Sequence, residues 1–339
     1  MKKIIITLCS FFIIIPIVLF AQNSGYKISG TVNIGGKGWW DYASIDEPMQ
    51  RLYISHADRI HVINLKTNKF VGEIDGLSGV HGEVFDDALG KGFISNGRSD
   101  TVTVFNLKTL KKIAEIHVTG KNPDGIVYDP FSQRVFTING RSSNITAIDA
   151  KTDKIVGTIP LEGSPEFCVT NGKGSMFLNI EDKNQVVEFN PNTLKIVKEW
   201  SITPGKGPAG LAIDIKHDIL FSGCRNNLMV ISNAKTGKVI TSLQIGGHVD
   251  ACRFDPKTNF AFSSNGEGTL TVIHEVSPKE FKVIDNVATQ QGCRTMEIDL
   301  KNHNIYLPGM LEEKNNAKSF GVLILERNWW KNNSFILIS

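Results

Sequence analysis

One pattern recurs seven times: a short apolar run that passes through an aromatic residue, a small polar loop, a second apolar run, and a turn carrying Lys and Thr. The aromatic markers are Tyr53, Phe93, Phe136, Phe177, Phe221, Phe262 and Tyr306, at steps of 40, 43, 41, 44, 41 and 44 residues. A period of about 40–45 residues with four strands per unit is the spacing of a β-propeller blade. Each twisted four-stranded sheet buries its faces only against its neighbours, so such units close into a ring. The chain is therefore predicted to be all-β, a seven-bladed β-propeller. A ring of repeats carries one continuous core, so the 339 residues are read as one domain over 22–326, with an unassigned tail at 327–339.

Inner strands are expected to begin near Trp40, Val80, Pro123, Pro165, Pro208, Val249 and Cys293. In blade 3, Arg134 to Ile138, Ile145 to Asp149 and Ile155 to Ile159 follow as second, third and outer strands, with Asp129-Pro130 among the turns. Blade 7 runs out after Gly321-Val322-Leu323-Ile324-Leu325 without an outer strand of its own. Tyr26 to Ile34 has strand character but no blade. It is expected to pair into blade 7, closing the ring and removing an exposed sheet edge.

Residues 1–21 read as a signal peptide, with Lys2 and Lys3 followed by an apolar run to Phe20. A retained anchor is the alternative; after cleavage no membrane span is expected. The predicted location is the periplasm or the cell exterior, and the predicted state is a monomer. Without the two lysines, the formal charge of +3 falls to +1, which disfavours a nucleic-acid partner. Of the mature cysteines, Cys168 and Cys252 lie two blades apart, too far for a bridge. Cys224 and Cys252, in neighbouring blades, are the pair to test, against a reading as buried free thiols.

The units from Gly90 ("GKGFISNGRSDTVTVFNLKTLKKIAEI") and from Gln133 ("QRVFTINGRSSNITAIDAKTDKIVGTI") resemble the YVTN-type β-propeller repeats of the YncE-like exported proteins. The signature Asn falls on Asn96, Asn139 and Asn265; His56, Ile180, Cys224 and Gly309 depart from it. The resemblance implies an exported propeller, and no agreed reaction.

In a propeller, the loops entering each inner strand and those joining second to third strands emerge together around the channel mouth, where ligands are sought. The first set supplies Asp41, His81, Asp124, Glu166, Ala209, Asp250 and Arg294; the second supplies His56, Asn96, Asn139, Cys224 and Asn265, followed by Arg98, Arg141 and Arg225. These define a candidate ligand-binding rim for a small molecule or a protein. Asp41, His56 and His81 form its densest part and are candidate ligands for a divalent metal, although no cofactor is required. The competing structural reading is that the acids accept backbone hydrogen bonds and that the Asn-Gly pairs at 96–97, 139–140 and 265–266 make turns needing positive φ. Trp39-Trp40 offers a stacking surface or ring-closure packing, and His248 a possible extension of the rim. Function is thus read as a non-catalytic binding or scaffold role. The alternatives are a metal-assisted lyase or lactonase-like hydrolase, and single-strand nucleic-acid binding through Arg98, Arg141, Arg225 and Arg294.

Overall fold

The computed structural model describes residues 23–312 and 317–328. Residues 1–21, read above as a signal peptide, and the tail from Trp329-Trp330 onward lie outside the described residues. Seven four-stranded antiparallel sheets form the ring. Six are sequential meanders that begin at Trp40, Val80, Pro123, Pro165, Pro208 and Val249. The seventh combines Glu297–Ile298, Ile305–Glu312 and Lys318–Arg327 with the N-terminal strand Tyr26–Asn33, which pairs antiparallel to Lys318–Arg327. The chain therefore closes its ring as the lone N-terminal strand implied. Among the described residues, no helix is long and apolar enough to cross a membrane.

Two details of blade 7 differ from expectation. Its inner strand is only Glu297–Ile298, because the backbone before it turns tightly, with Cys293 N donating to Gln290 O at 3.0 Å. Arg327 also belongs to the propeller and not to the tail: its Nε donates to Ser24 O at 3.1 Å, and its guanidinium lies 4.6 Å from the Phe260 ring centre.

Strand periodicity explains the core. Second strands are almost wholly buried because both faces meet another blade, and successive side chains alternate between those faces. Thus Phe93 enters the cluster between blades 2 and 3, while its neighbour Ile94 enters the one between blades 1 and 2. Seven apolar clusters fill the seven interfaces. Each aromatic marker faces the following blade, so every interface receives one; all are at most 3% exposed. Outer strands lie at the rim of the ring and are largely exposed, as in Lys69–Ile74 and Lys154–Pro160. The Lys/Thr turns are organised by a preceding Asn or Asp: Asn64 Oδ1 accepts from Lys66 N and Thr67 N at 3.0 and 3.1 Å, and Asn106, Asp149, Asn190 and Asn233 hold equivalent turns.

The four described cysteines are free and buried. Cys224 packs between blades 4 and 5 and Cys252 between blades 5 and 6, so the two thiols serve different interfaces. The free-thiol reading holds.

Candidate functional site

In each of the first six blades, the ladder between inner and second strand slips just after its first pair, between Trp40 and Ala43, Val80 and Glu83, Pro123 and Ile126, Pro165 and Cys168, Pro208 and Leu211, and Val249 and Ala251. The rim residues Asp41, His81, Asp124, Glu166, Ala209 and Asp250 sit in these bulges. A bulge re-aims a side chain and leaves backbone groups without ladder partners. Small polar residues on the second strands meet them: Ser55 Oγ accepts from Asp41 N at 3.0 Å, Ser95 Oγ accepts from Gly82 N at 3.0 Å and donates to Asp124 O at 2.7 Å, and Asn179 Nδ2 donates to Ala209 O at 3.1 Å. A Ser or Asn two places after the aromatic marker, at Ser55, Ser95, Asn179 and Ser264, is the sequence signal for these bulges.

The bulges bring the acids of separate blades together. His81 Nδ1 lies 2.7 Å from Asp41 Oδ2 and 3.5 Å from Asp124 Oδ1, and the three groups can present ligand atoms within 4.8 Å of one another. Burial works against the charge on His81, but the Asp41 hydrogen bond and the Asp124 charge outweigh it and raise its pKa. Asp124 is pushed up to about 7 by burial and by Asp41. Glu166 is pushed up to about 9, by burial and by Glu181 beside it. Asp250 is raised by burial and Asp41, against the pull of Arg294, whose Nε donates to Asp250 Oδ2 at 2.7 Å. Arg225 is paired with Glu181. More carboxylates than cations converge here, and protons hold the balance.

His56 does not join Asp41 and His81. It is 5% exposed, hydrogen-bonds His61 (Nδ1 to Nε2, 3.2 Å) and stacks on Phe320 with ring centres 3.9 Å apart. Burial, then the His61 and Arg59 charges, lower its pKa to about 4. Asp124 takes the third place in the cluster instead, because the bulge of blade 3 turns it inward. Asn96, Asn139 and Asn265 also face their own hairpins: each Nδ2 donates across its turn, to Thr101 and Thr103, to Asn144 and Thr146, and to Thr269 and Thr271, at 2.7–3.2 Å. Replacing the fully buried Asn139 with Ala is expected to cost about 1–3 kcal/mol, since its hydrogen-bond partners lose their mate in a buried site. Chemical denaturation measures this.

The glycines after these asparagines have ordinary negative φ; positive φ falls later in the turns, at Asp100, Ser143 and Gly268. Gly97 is required by contact, because a Cβ there would stand 2.6 Å from His81 Nε2. Trp39 covers the other side of His81, with ring centres 5.2 Å apart, while Trp40 packs on Phe320 at the ring closure and lies 5.7 Å from the Arg294 guanidinium. Arg98, Arg141, Arg225 and His248 are exposed around the mouth. Tyr42, whose phenol feels Asp124, Asp41, Glu166 and Asp250 and is raised by burial first, lies under the acids with Phe167, ring centres 5.5 Å apart. Little room remains beneath the mouth, about 10 Å³ among Asp41, Glu166 and Asp250. The site is therefore a shallow charged mouth closed by an aromatic floor.

Fold and site define a seven-bladed β-propeller with an acid-rich, imidazole-bearing channel mouth. Compared with known proteins, the chain matches no family model and no curated protein.

Proposed function

We propose that this is an exported, non-catalytic β-propeller of the YVTN type that recognises a small charged ligand or a protein partner at its channel mouth, in the periplasm or outside the cell. The observation that carries the reading is the convergence of Asp41, His81, Asp124, Glu166, Asp250 and Arg294 from separate blades, with the carboxyl pKa values of Asp124, Glu166 and Asp250 raised. Buried groups held away from their ordinary ionisation mark functional sites more often than ordinary surface does. Two of the four mouth arginines, Arg225 and Arg294, are already paired with carboxylates, which weakens a phosphate-binding role. A thermal-shift screen of small charged molecules should give hits that are lost in Arg294→Ala and Asp250→Asn. Hits that survive every mouth substitution would overturn the reading.

One observation favours a second reading, a metal-assisted lyase or lactonase-like hydrolase: Asp41, His81 and Asp124 are a carboxylate–imidazole set suited to a divalent transition metal. Under this reading, His81 and Asp41 would orient the ion and Asp124 would give up its proton on binding. Equilibrium dialysis followed by metal analysis is expected to show about one ion per chain, lost in His81→Ala and retained in His56→Ala. Protein that remains metal-free in the presence of excess zinc, manganese and nickel removes this reading.

A further inference from the structure

Beyond the Tyr42–Phe167 floor, away from the mouth, the channel holds a cavity of about 490 Å³, the size of a site for a small organic molecule. All seven inner strands contribute to its wall, which is mainly apolar. Half-buried Val84, Phe85, Val127, Val169, Ile213 and Phe254 are among the side chains that line it. Leu300, 45% exposed, lines it as well, so the cavity is open to solvent on that side.

The polar side chains of this wall decide what the space can take. Arg253 donates from Nε and Nη2 to the two oxygens of Glu297 at 2.9 and 3.0 Å and from Nη1 to Cys252 O at 2.8 Å, and its guanidinium lies 5.0 Å from the Phe167 ring centre. Glu47 accepts from Leu300 N at 3.2 Å and from Gln50 Nε2 at 3.3 Å, with the Lys301 ammonium 3.6 Å from its Oε2. The Ser44 hydroxyl donates to Glu83 O at 2.8 Å. The phenols of Tyr42 and Tyr128 are hydrogen-bonded to Asp124 and Asp86. The Glu83 carboxyl is sealed, 1% exposed, and burial holds it in its neutral form. The thiols of Cys168 and Cys252 are buried too. Each polar side chain of the lining is thus either engaged with the protein or shut off from the space.

From an apolar cavity whose charges are already matched within its own wall, we infer a second binding site, separate from the mouth, for an uncharged and largely hydrocarbon molecule about the size of two fused rings. Charged ligands are excluded from both sides. An organic anion would need Arg253, which Glu297 already holds through two hydrogen bonds, and an organic cation would need Glu297 or Glu47, which Arg253 and Lys301 already neutralise. Either ion would give up its water and find no partner in return, which is costly. An apolar molecule has no such loss and gains from the wall surface it takes out of water. With no polar group free to orient a ligand, selection rests on shape and apolarity, so the site accepts related molecules. The two ends of the channel therefore sort ligands by charge: ions at the mouth, neutral molecules in the cavity.

The test is a fluorescence titration with N-phenyl-1-naphthylamine, an uncharged probe that brightens on leaving water. It is expected to bind saturably, with about one molecule per chain. Three competitors of one shape then separate the charge classes: 1-methylnaphthalene, 1-naphthoate and 1-naphthylmethylammonium. The neutral compound should displace the probe at least tenfold more tightly than either ion. Val84→Trp and Val169→Trp, which push a ring into the space from two different strands, should each weaken probe binding at least tenfold. Arg294→Ala at the mouth should leave it unchanged. An absence of saturable binding would mean that the cavity holds only water and would overturn the inference. So would an ion that competes as well as the neutral compound, probe binding that survives both tryptophan variants, or binding lost in Arg294→Ala. The ranking of the competitors needs no variant, so a misfolded tryptophan variant would not shelter it.

Discussion

Replacing Tyr26 with alanine is expected to destabilise the protein by about 3–5 kcal/mol, the range for removing a large buried aromatic side chain. Tyr26 is 4% exposed, packs edge-on against Phe262 with ring centres 5.3 Å apart, and donates its hydroxyl to His303 O at 2.9 Å. It lies on the strand that joins the N-terminal segment to blade 7, pairing opposite Arg327. Its loss therefore opens a cavity between blades 6 and 7 and loosens the closure of the ring in one step. For a domain this large, 1 kcal/mol moves the melting temperature by about 2–4 °C, so a fall on the order of 10 °C is expected. Val197, 60% exposed on an outer strand, is the control, and Val197→Ser should lie within about 0.5 kcal/mol of the parent. Equal melting temperatures for the two variants would mean that the N-terminal strand does not hold the ring shut.

Glu166→Gln is expected to stabilise the protein in alkaline solution and to do nothing in acid. An unfolded chain releases the Glu166 proton near its ordinary value of about 4.3. The folded chain keeps it to about 9, because of burial and the neighbouring Glu181. Between those values unfolding releases a proton. The stability tied to Glu166 is thus complete below the unfolded pKa and is lost as pH rises towards 9, at up to about 1.4 kcal/mol per pH unit. Glutamine keeps the shape and has no proton to lose. The gain should be near zero at pH 4, grow through pH 5–8 and be largest near pH 9, in melting curves recorded across that range. Asp124, pushed to about 7, contributes the same trend over a narrower span, so some slope persists in the variant. A gain that is the same at pH 4 and pH 9 would show that Glu166 is not held protonated in the mouth.

The repeat was legible because each aromatic marker answers to a local rule. A side chain at the same place in every second strand meets the next blade, so Phe136 and Phe221 must be apolar and large wherever the ring is cut. The convergence of Asp41, His81, Asp124, Glu166 and Asp250 was legible for the same reason, since one position per repeat maps to one height in the channel. His56 was misplaced because its alignment with Asn96 says nothing about His61 or Phe320, which come from another strand and another blade and draw the ring away from the mouth. Asn96, Asn139 and Asn265 shared the right height but not the direction, which their hydrogen bonds to threonines across the hairpin decide.

The linear chain determined the number of blades, the strand that seals them and the height in the channel of one residue per inner strand, because spacing and alternation are properties of sequence position. Only the folded ring decided where space remains. Tyr42 and Phe167 meet across the axis, leave about 10 Å³ beneath the mouth and enclose about 490 Å³ on the other side. Volume and desolvation belong to the packing of distant segments, and no repeat period carries them.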